Sequence, residues 1–258
     1  MARILLIETA TEVCSAALAV DGVVVALQEE LNCTNHSALL TVQIEACVRQ
    51  SGIPLHALDA VAISQGPGSY TALRVGASVA KGICYALEKP LIAVDTLLAL
   101  AASGLESLKF DPEASGRSSS LQPMPNVQLQ TSNSPTFLMP MLDARRQEVW
   151  TAVYDAEMRL LAPAQPLIME NDLFEIFIRT AIPDFHNVQV ILSGNGAQKL
   201  ENVRHGKEAV QSTKKTCSAA DLAGWAERFF QISDFQDIAY WSPFYMKLPN
   251  ITTSIKKI

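Results

Sequence analysis

The opening of the chain returns in its second half, and that repeat limits the fold more than any other feature. Arg3–Glu8 (RILLIE) is an apolar run closed by an acid. A polar turn, TATEVC, leads to a second run, Ser15–Val20, and then to Asp21-Gly22. Asp-Gly between strand-like runs signals a tight hairpin, because both central residues must take positive φ. Val23–Glu30 then completes a three-stranded meander. Phe137–Leu161 has the same layout: a strand ending in Asp143, a polar turn, a second strand and an acid-led turn at Asp155. Further on, Ala60–Ser64 runs into Gly66-Pro67-Gly68-Ser69, and VQVILS runs into Gly194-Asn195-Gly196. A helical pattern precedes each. The first places Leu40, Ile44, Cys47 and Val48 on one face and stops at Gly52 and Pro54. With PLIAVDT as a further strand and LLALAA as a short helix, the first half reads βββαβαβα. Two copies of one α/β unit are expected.

Ser103–Pro135 interrupts this order. It is rich in Ser, Pro, Gly, Gln and Asn, with little periodicity. Such a stretch reads as a linker or insertion that need not pack. It separates a first lobe, 1–102, from a second, 136–258, whose last helix, CSAADLAGWAERFFQ, is expected to pack back on the first lobe. Two such units facing each other enclose a cleft at their strand ends. Glu8, Thr9, Thr11, Gly66, Gly68, Ser69, Asp143, Gly194 and Gly196 are its candidate lining. Actin, sugar kinases and Hsp70 share this architecture and hold a nucleotide between their lobes. Shared architecture alone does not carry function.

The best-defined helix follows Ser69. Ser69 stands where an N-cap side chain would accept a hydrogen bond from the first turn. Roughly 19 residues of helix, about 28 Å, run to Pro90. Charges are few: Arg74, Lys81, Glu88 and Lys89. Ala72, Gly76 and Ala80 recur every fourth residue, beside a second stripe of Leu73, Ala77, Ala80, Cys84 and Leu87. A helix apolar on most sides is buried on most sides. One side is expected to cover a sheet and the small-residue side to admit another helix or subunit.

The chain has 258 residues, 49% apolar and 18% charged, an ordinary globular composition. No apolar run reaches the roughly 18 residues of a membrane span. The N-terminus reads as a first strand, not a signal peptide. Five scattered cysteines without a CxxC suggest free thiols in a reducing cytoplasm. A net charge of −6 suits a phosphate backbone poorly, so contact with nucleic acid should run through a partner.

The residues bear on three chemistries. His36, His56, His186 and His205 lie far apart, without HExxH or HxxxH, so no metal catalysis is expected. Ser69 with His36 lacks the GxSxG elbow of a nucleophile, and fits a cap better. Phosphoryl transfer is the rival reading: a cleft Asp such as Asp143 could meet a metal-bridged phosphate. Yet the hairpin ETATEV has neither Gly nor Lys, and Arg145 and Arg146 would pair with Asp143 on the turn. Glu8 and Asp143 read better as strand-end acids that satisfy turn N–H groups.

Together IETATEVCSAAL, NHSALL, SQGPGSYTALRVGASVAKG, DARRQEVW and PFYMK resemble the TsaB (YeaZ) family, end to end except for Ser103–Pro135. The resemblance implies an actin-like α/β fold of two ribonuclease-H-like lobes. It implies a non-catalytic subunit that pairs with a TsaD-like transferase and a TsaE-like ATPase to make threonylcarbamoyladenosine in tRNA. Homodimerisation through first-lobe helices in isolation, only indirect contact with tRNA, and a cytoplasmic location follow from it. The interface so implied includes His36, Leu40, Ala72, Leu73, Gly76, Ala80, Lys81 and Cys84. No cofactor is required of the chain, with weak ATP or ADP binding left open. The family usually has Asp at Glu8, Phe at Tyr70 and Gly at Ala72. The first difference puts a phosphate contact at Glu8 in question. The alternative is an ATP-binding, sugar-kinase-like enzyme acting alone.

Overall fold

The computed structural model describes residues 1–109, 135–182, 188–202, 209–212 and 214–247. The first half carries β1 (Arg3–Glu8), β2 (Cys14–Val20), β3 (Val23–Glu30), α1 (His36–Ser51), β4 (Ala60–Ser64), α2 (Tyr70–Leu87), β5 (Leu91–Val94) and α3 (Thr96–Lys109). The second carries β6 (Thr136–Asp143), β7 (Glu148–Asp155), β8 (Leu160–Ile168), α4 (Asn171–Ala181), β9 (Gln189–Ser193), a 3-10 segment (Asn195–Asn202), β10 (Ala209–Gln211) and α5 (Ala223–Gln231). The sheets have the orders β3-β2-β1-β4-β5 and β10-β9-β6-β7-β8. These are one topology twice: an antiparallel meander whose first strand continues into parallel partners.

The meander follows from its turn. Asp21 and Gly22 take φ of 49° and 75°, and the Asp21 carboxylate accepts the Ala2 N–H at 2.7 Å. β1 and β4 are continuous apolar runs because both sheet faces are covered. Leu5 and Ile7 join Leu40, Ile44, Cys47, Ala77, Ala80 and Cys84 under α1 and α2. Ile4 and Leu6, on the other face, join Leu222, Ala223 and Ala226 under α5. The second sheet is sandwiched likewise. Phe174 and Ile178 of α4 cover Met139, Met141 and Val190, while Leu97, Leu100, Ala101 and Leu105 of α3 cover Leu138, Leu142 and Ile191. Each sheet therefore has one face covered by a helix from the other half of the chain. No described helix is long and apolar enough to cross a membrane.

The boundary expected at residue 103 is displaced. Residues up to Lys109 continue α3, with Ser103 and Leu105 buried. Gly104 lets the helix approach Ser193; a Cβ there would stand 2.7 Å from the Ser193 Cβ. Ser, Gly and Glu gave this stretch a linker-like composition, but its apolar residues keep helical spacing. The rest of the expected linker, 110–134, lies outside the described residues.

Candidate functional site

A cavity of about 810 Å³ opens between the lobes. The first lobe lines it with the β1–β2 turn (Thr11, Glu12), the start of α1 (Asn35, His36) and the start of α2 (Gly68, Ser69, Tyr70). The second contributes the β6–β7 turn (Asp143, Arg145, Arg146), Glu148, Trp150 and Asn195, and the tail adds Lys247. Glycine permits the crowding at the mouth: a Cβ on Gly68 would lie 2.3 Å from the Ala10 carbonyl oxygen. Ser69 precedes α2 in extended conformation, but its side chain makes no capping bond. Instead its N–H donates to the Ala10 carbonyl at 2.7 Å, holding the loop on the turn.

Polar contacts tie the walls together. The Asn195 amide donates to both carboxylate oxygens of Glu12 at 3.1 Å, and its carbonyl accepts the Asp143 N–H at 2.9 Å. Asp143 accepts the Arg145 N–H at 2.6 Å, the strand-end role expected of it. Its ion-pair partner, however, is Lys199 at 2.6 Å, not the neighbouring arginines. Arg145 and Arg146 sit at φ of 68° and 52°, exposed at the rim, without an ion pair among the described residues. Lys247 pairs with Glu148 across the cleft. The tail that delivers it runs along the loop after β4: the Phe244 N–H donates to the Gln65 carbonyl at 2.7 Å, and the Tyr245 and Tyr70 rings lie 4.7 Å apart.

Thr11, Gly68, Ser69 and Asp143 thus reach the cleft, and Glu8, Thr9, Gly66, Gly194 and Gly196 do not. Glu8 is fully buried beneath the first turn. One carboxylate oxygen accepts the Ala10 N–H, the other has no partner, and burial pushes the group up to about 7. The Thr9 hydroxyl is buried without a partner as well. The three glycines serve backbone packing. Cβ atoms there would stand 2.6 Å from the Phe244 carbonyl oxygen, 2.1 Å from that of Met141 and 2.9 Å from the Leu142 carbonyl carbon. Glu12, Asn195 and Lys247 were not foreseen, since they come together only when the repeats face each other.

The expected interface residues face inward. Leu40, Ala72, Leu73, Gly76, Ala80 and Cys84 are buried within the chain. Lys81 donates to the Trp241 carbonyl at 2.8 Å, and His36 holds the β1–β2 turn. The reason is angular. At about 100° per residue, the two stripes of α2 fall within a single arc of about 140°, so they are one face. The opposite face carries Ser78, Gly82 and Ala86, also four apart and all exposed, with Tyr85 at 82% exposure.

Comparison with known proteins places this geometry. Residues 28–243 match the family described as TsaD, tRNA N6-adenosine threonylcarbamoyltransferase. The tRNA threonylcarbamoyladenosine biosynthesis protein TsaB of Escherichia coli is 32% identical over 60% of this chain and 56% of its own length. That of Haemophilus influenzae is 35% identical over 40% of this chain and 43% of its own. The chain's matches therefore span about half the length of these curated relatives. A crystal structure of a Pseudomonas aeruginosa protein with similarity to peptidase YEAZ superposes with a TM-score of 0.75 at 24% identity, covering 96% of this chain and 100% of that one. That likeness shows the fold, two lobes that each carry a five-stranded mixed sheet flanked by helices. From the cleft walls to α5, this chain belongs to the TsaD family, and within it to the TsaB/YeaZ proteins.

Proposed function

We propose that this chain is a non-catalytic subunit of a cytoplasmic assembly that makes threonylcarbamoyladenosine in tRNA. In this reading it pairs with a TsaD-like transferase and a TsaE-like ATPase, and dimerises in isolation through the same surface. The observation that carries it is the outer face of α2. Ser78, Gly82 and Ala86 leave a shallow track on which a partner helix could approach closely, and a Cβ on Gly82 would meet nothing within 4 Å. Tyr85 beside it and Val42 on neighbouring α1, 54% exposed, add apolar surface. The cleft acts indirectly. Asp143 is committed to Lys199 and to its own turn, which leaves the rim arginines to hold ATP or ADP weakly. tRNA is met through the partner, in keeping with the chain's net charge of −6.

Reconstitution tests this. Threonylcarbamoyl transfer to tRNA by the TsaD- and TsaE-like proteins of the same organism should require this chain. Asp143→Ala, which weakens only the cleft, should lower the rate modestly. Full transfer without the chain, or steady ATP turnover by the pure chain that Asp143→Asn abolishes, would replace this reading with the kinase-like one.

A further inference from the structure

Three ligand-type side chains from separate stretches of sequence meet at the edge of the cleft. Cys14 opens β2, Cys33 lies in the loop after β3, and His36 begins α1. Their sulfurs and a ring nitrogen of His36 all lie within 4.8 Å of one another. A tetrahedral zinc site, with metal–sulfur bonds of about 2.3 Å and metal–nitrogen bonds of about 2.0 Å, places its ligand atoms about 3.5–3.8 Å apart. Small side-chain adjustments therefore suffice. We propose that Cys14, Cys33 and His36 bind a thiophilic divalent cation of the zinc class, with a cleft water as fourth ligand.

The surroundings are those of a ligand set held in place. The His36 Nε2 lies 3.1 Å from the Thr11 carbonyl oxygen and 3.3 Å from that of Val13. Carbonyls only accept, so Nε2 carries the hydrogen and Nδ1 keeps the lone pair that a metal needs. Such a carbonyl partner is the usual outer support of a metal-binding histidine. Gln43 fixes the backbone at Cys14, its amide donating to the Cys14 carbonyl at 2.9 Å; the Cys14 S–H donates to the Gln43 carbonyl oxygen at 3.3 Å, and that proton is one that binding gives up. The Cys33 N–H donates to the Glu12 carbonyl at 2.8 Å, so the loop is pinned before any metal arrives. Charge also balances. Binding releases both thiol protons to solvent, and two thiolates, a neutral imidazole and a divalent cation sum to zero, which suits two buried cysteines. Cys33 and His36 line the cavity, leaving the remaining position open to it. The missing HxxxH has no bearing on this set, which folding assembles mostly from cysteine. Its one local signal is the Cys33-x-x-His36 spacing. The bound ion would join the β1–β2 turn to the first residue of α1.

Cobalt substitution tests the site on the full chain. Protein stripped by chelator and kept reduced should take up one equivalent of Co²⁺ with sulfur-to-cobalt charge-transfer absorption, and Zn²⁺ should displace it. Cys33→Ser and His36→Gln should each weaken binding more than about 100-fold. Cys84→Ala, remote from the cluster, should change nothing. Should Cys33→Ser fail to fold, His36→Gln carries the comparison. No charge-transfer band at stoichiometric cobalt, a band that survives loss of the ligands, or a Cys14–Cys33 disulfide in protein kept reduced would each overturn the site.

Discussion

Glu8→Gln should stabilise this protein above neutral pH and flatten its stability profile. Burial raises the native carboxyl to about 7, while in the unfolded chain it titrates near its ordinary 4.5. Between those values the native state holds a proton that the unfolded state has lost. Stability therefore falls as pH rises through this window and levels off above it. At about 1.4 kcal/mol per pKa unit, the full loss is roughly 3 kcal/mol. Gln cannot ionise. It keeps a carbonyl oxygen for the Ala10 N–H and sets an amide where the second carboxylate oxygen has no partner, near the equally unpartnered Ser64 hydroxyl. Asp95 and Asp221, also raised by burial, add slope of the same sign to both proteins, so the difference isolates Glu8. Denaturant unfolding from about pH 5 to about pH 9 should show the parent declining toward pH 7 and the variant declining less. Parallel curves would place the proton elsewhere.

Two glycines of α2 should answer oppositely to enlargement. At Gly76 a Cβ would stand 2.4 Å from the Thr9 hydroxyl and 3.2 Å from Ile63, so Gly76→Leu should overpack the interior and cost about 3 kcal/mol or more. Gly82 is exposed and meets nothing within 4 Å, so Gly82→Arg should gain up to about 1 kcal/mol from helix propensity. If the outer face is the pairing surface, Gly82→Arg should nonetheless abolish homodimers in sedimentation and end threonylcarbamoyl transfer in the reconstituted system. A Gly82→Arg protein that dimerises and supports transfer like the parent would remove that face from consideration. Loss of pairing in Gly76→Leu would say nothing of the interface, since its fold is already damaged.

The fold was legible because its signals are local and appear twice. Apolar runs, an Asp-Gly hairpin and a Gly-x-Gly turn after a strand each specify their element, and the repeat specifies the layout. The site was legible only in part. Ser69, Gly68 and Asp143 could be placed because they end elements that must face the cleft. Glu8 could not: strand-end acids commonly reach solvent, and it is buried beside Cys217 and Asp221, more than 200 residues away. The inward turn of Gly76 followed from helix geometry, but small residues suit a sheet contact and a subunit contact equally well. Lys247, Asn195 and the joining of Cys14 to the Cys33-x-x-His36 pair required three-dimensional proximity that no spacing in sequence encodes.

The exchange of α3 and α5 gives the molecule the logic of a clasp. Alone, the first half would leave Ile4, Leu6 and Ile92 bare where α5 belongs, and the second would leave Leu138, Leu142 and Ile191 bare where α3 belongs. Neither half is a folding unit, although each has a complete sheet. Heat or denaturant should therefore melt both in one transition, with coincident signals from Trp150 in the second sheet and Trp241 beside the first. The same clasp opposes wide hinge opening of the cleft, since separating the sheets would strip a helix from each. On the proposed reading, anything bound in the cleft would reach the outer face of α2 only through small sliding displacements of packed helices, a stiff coupling between the two.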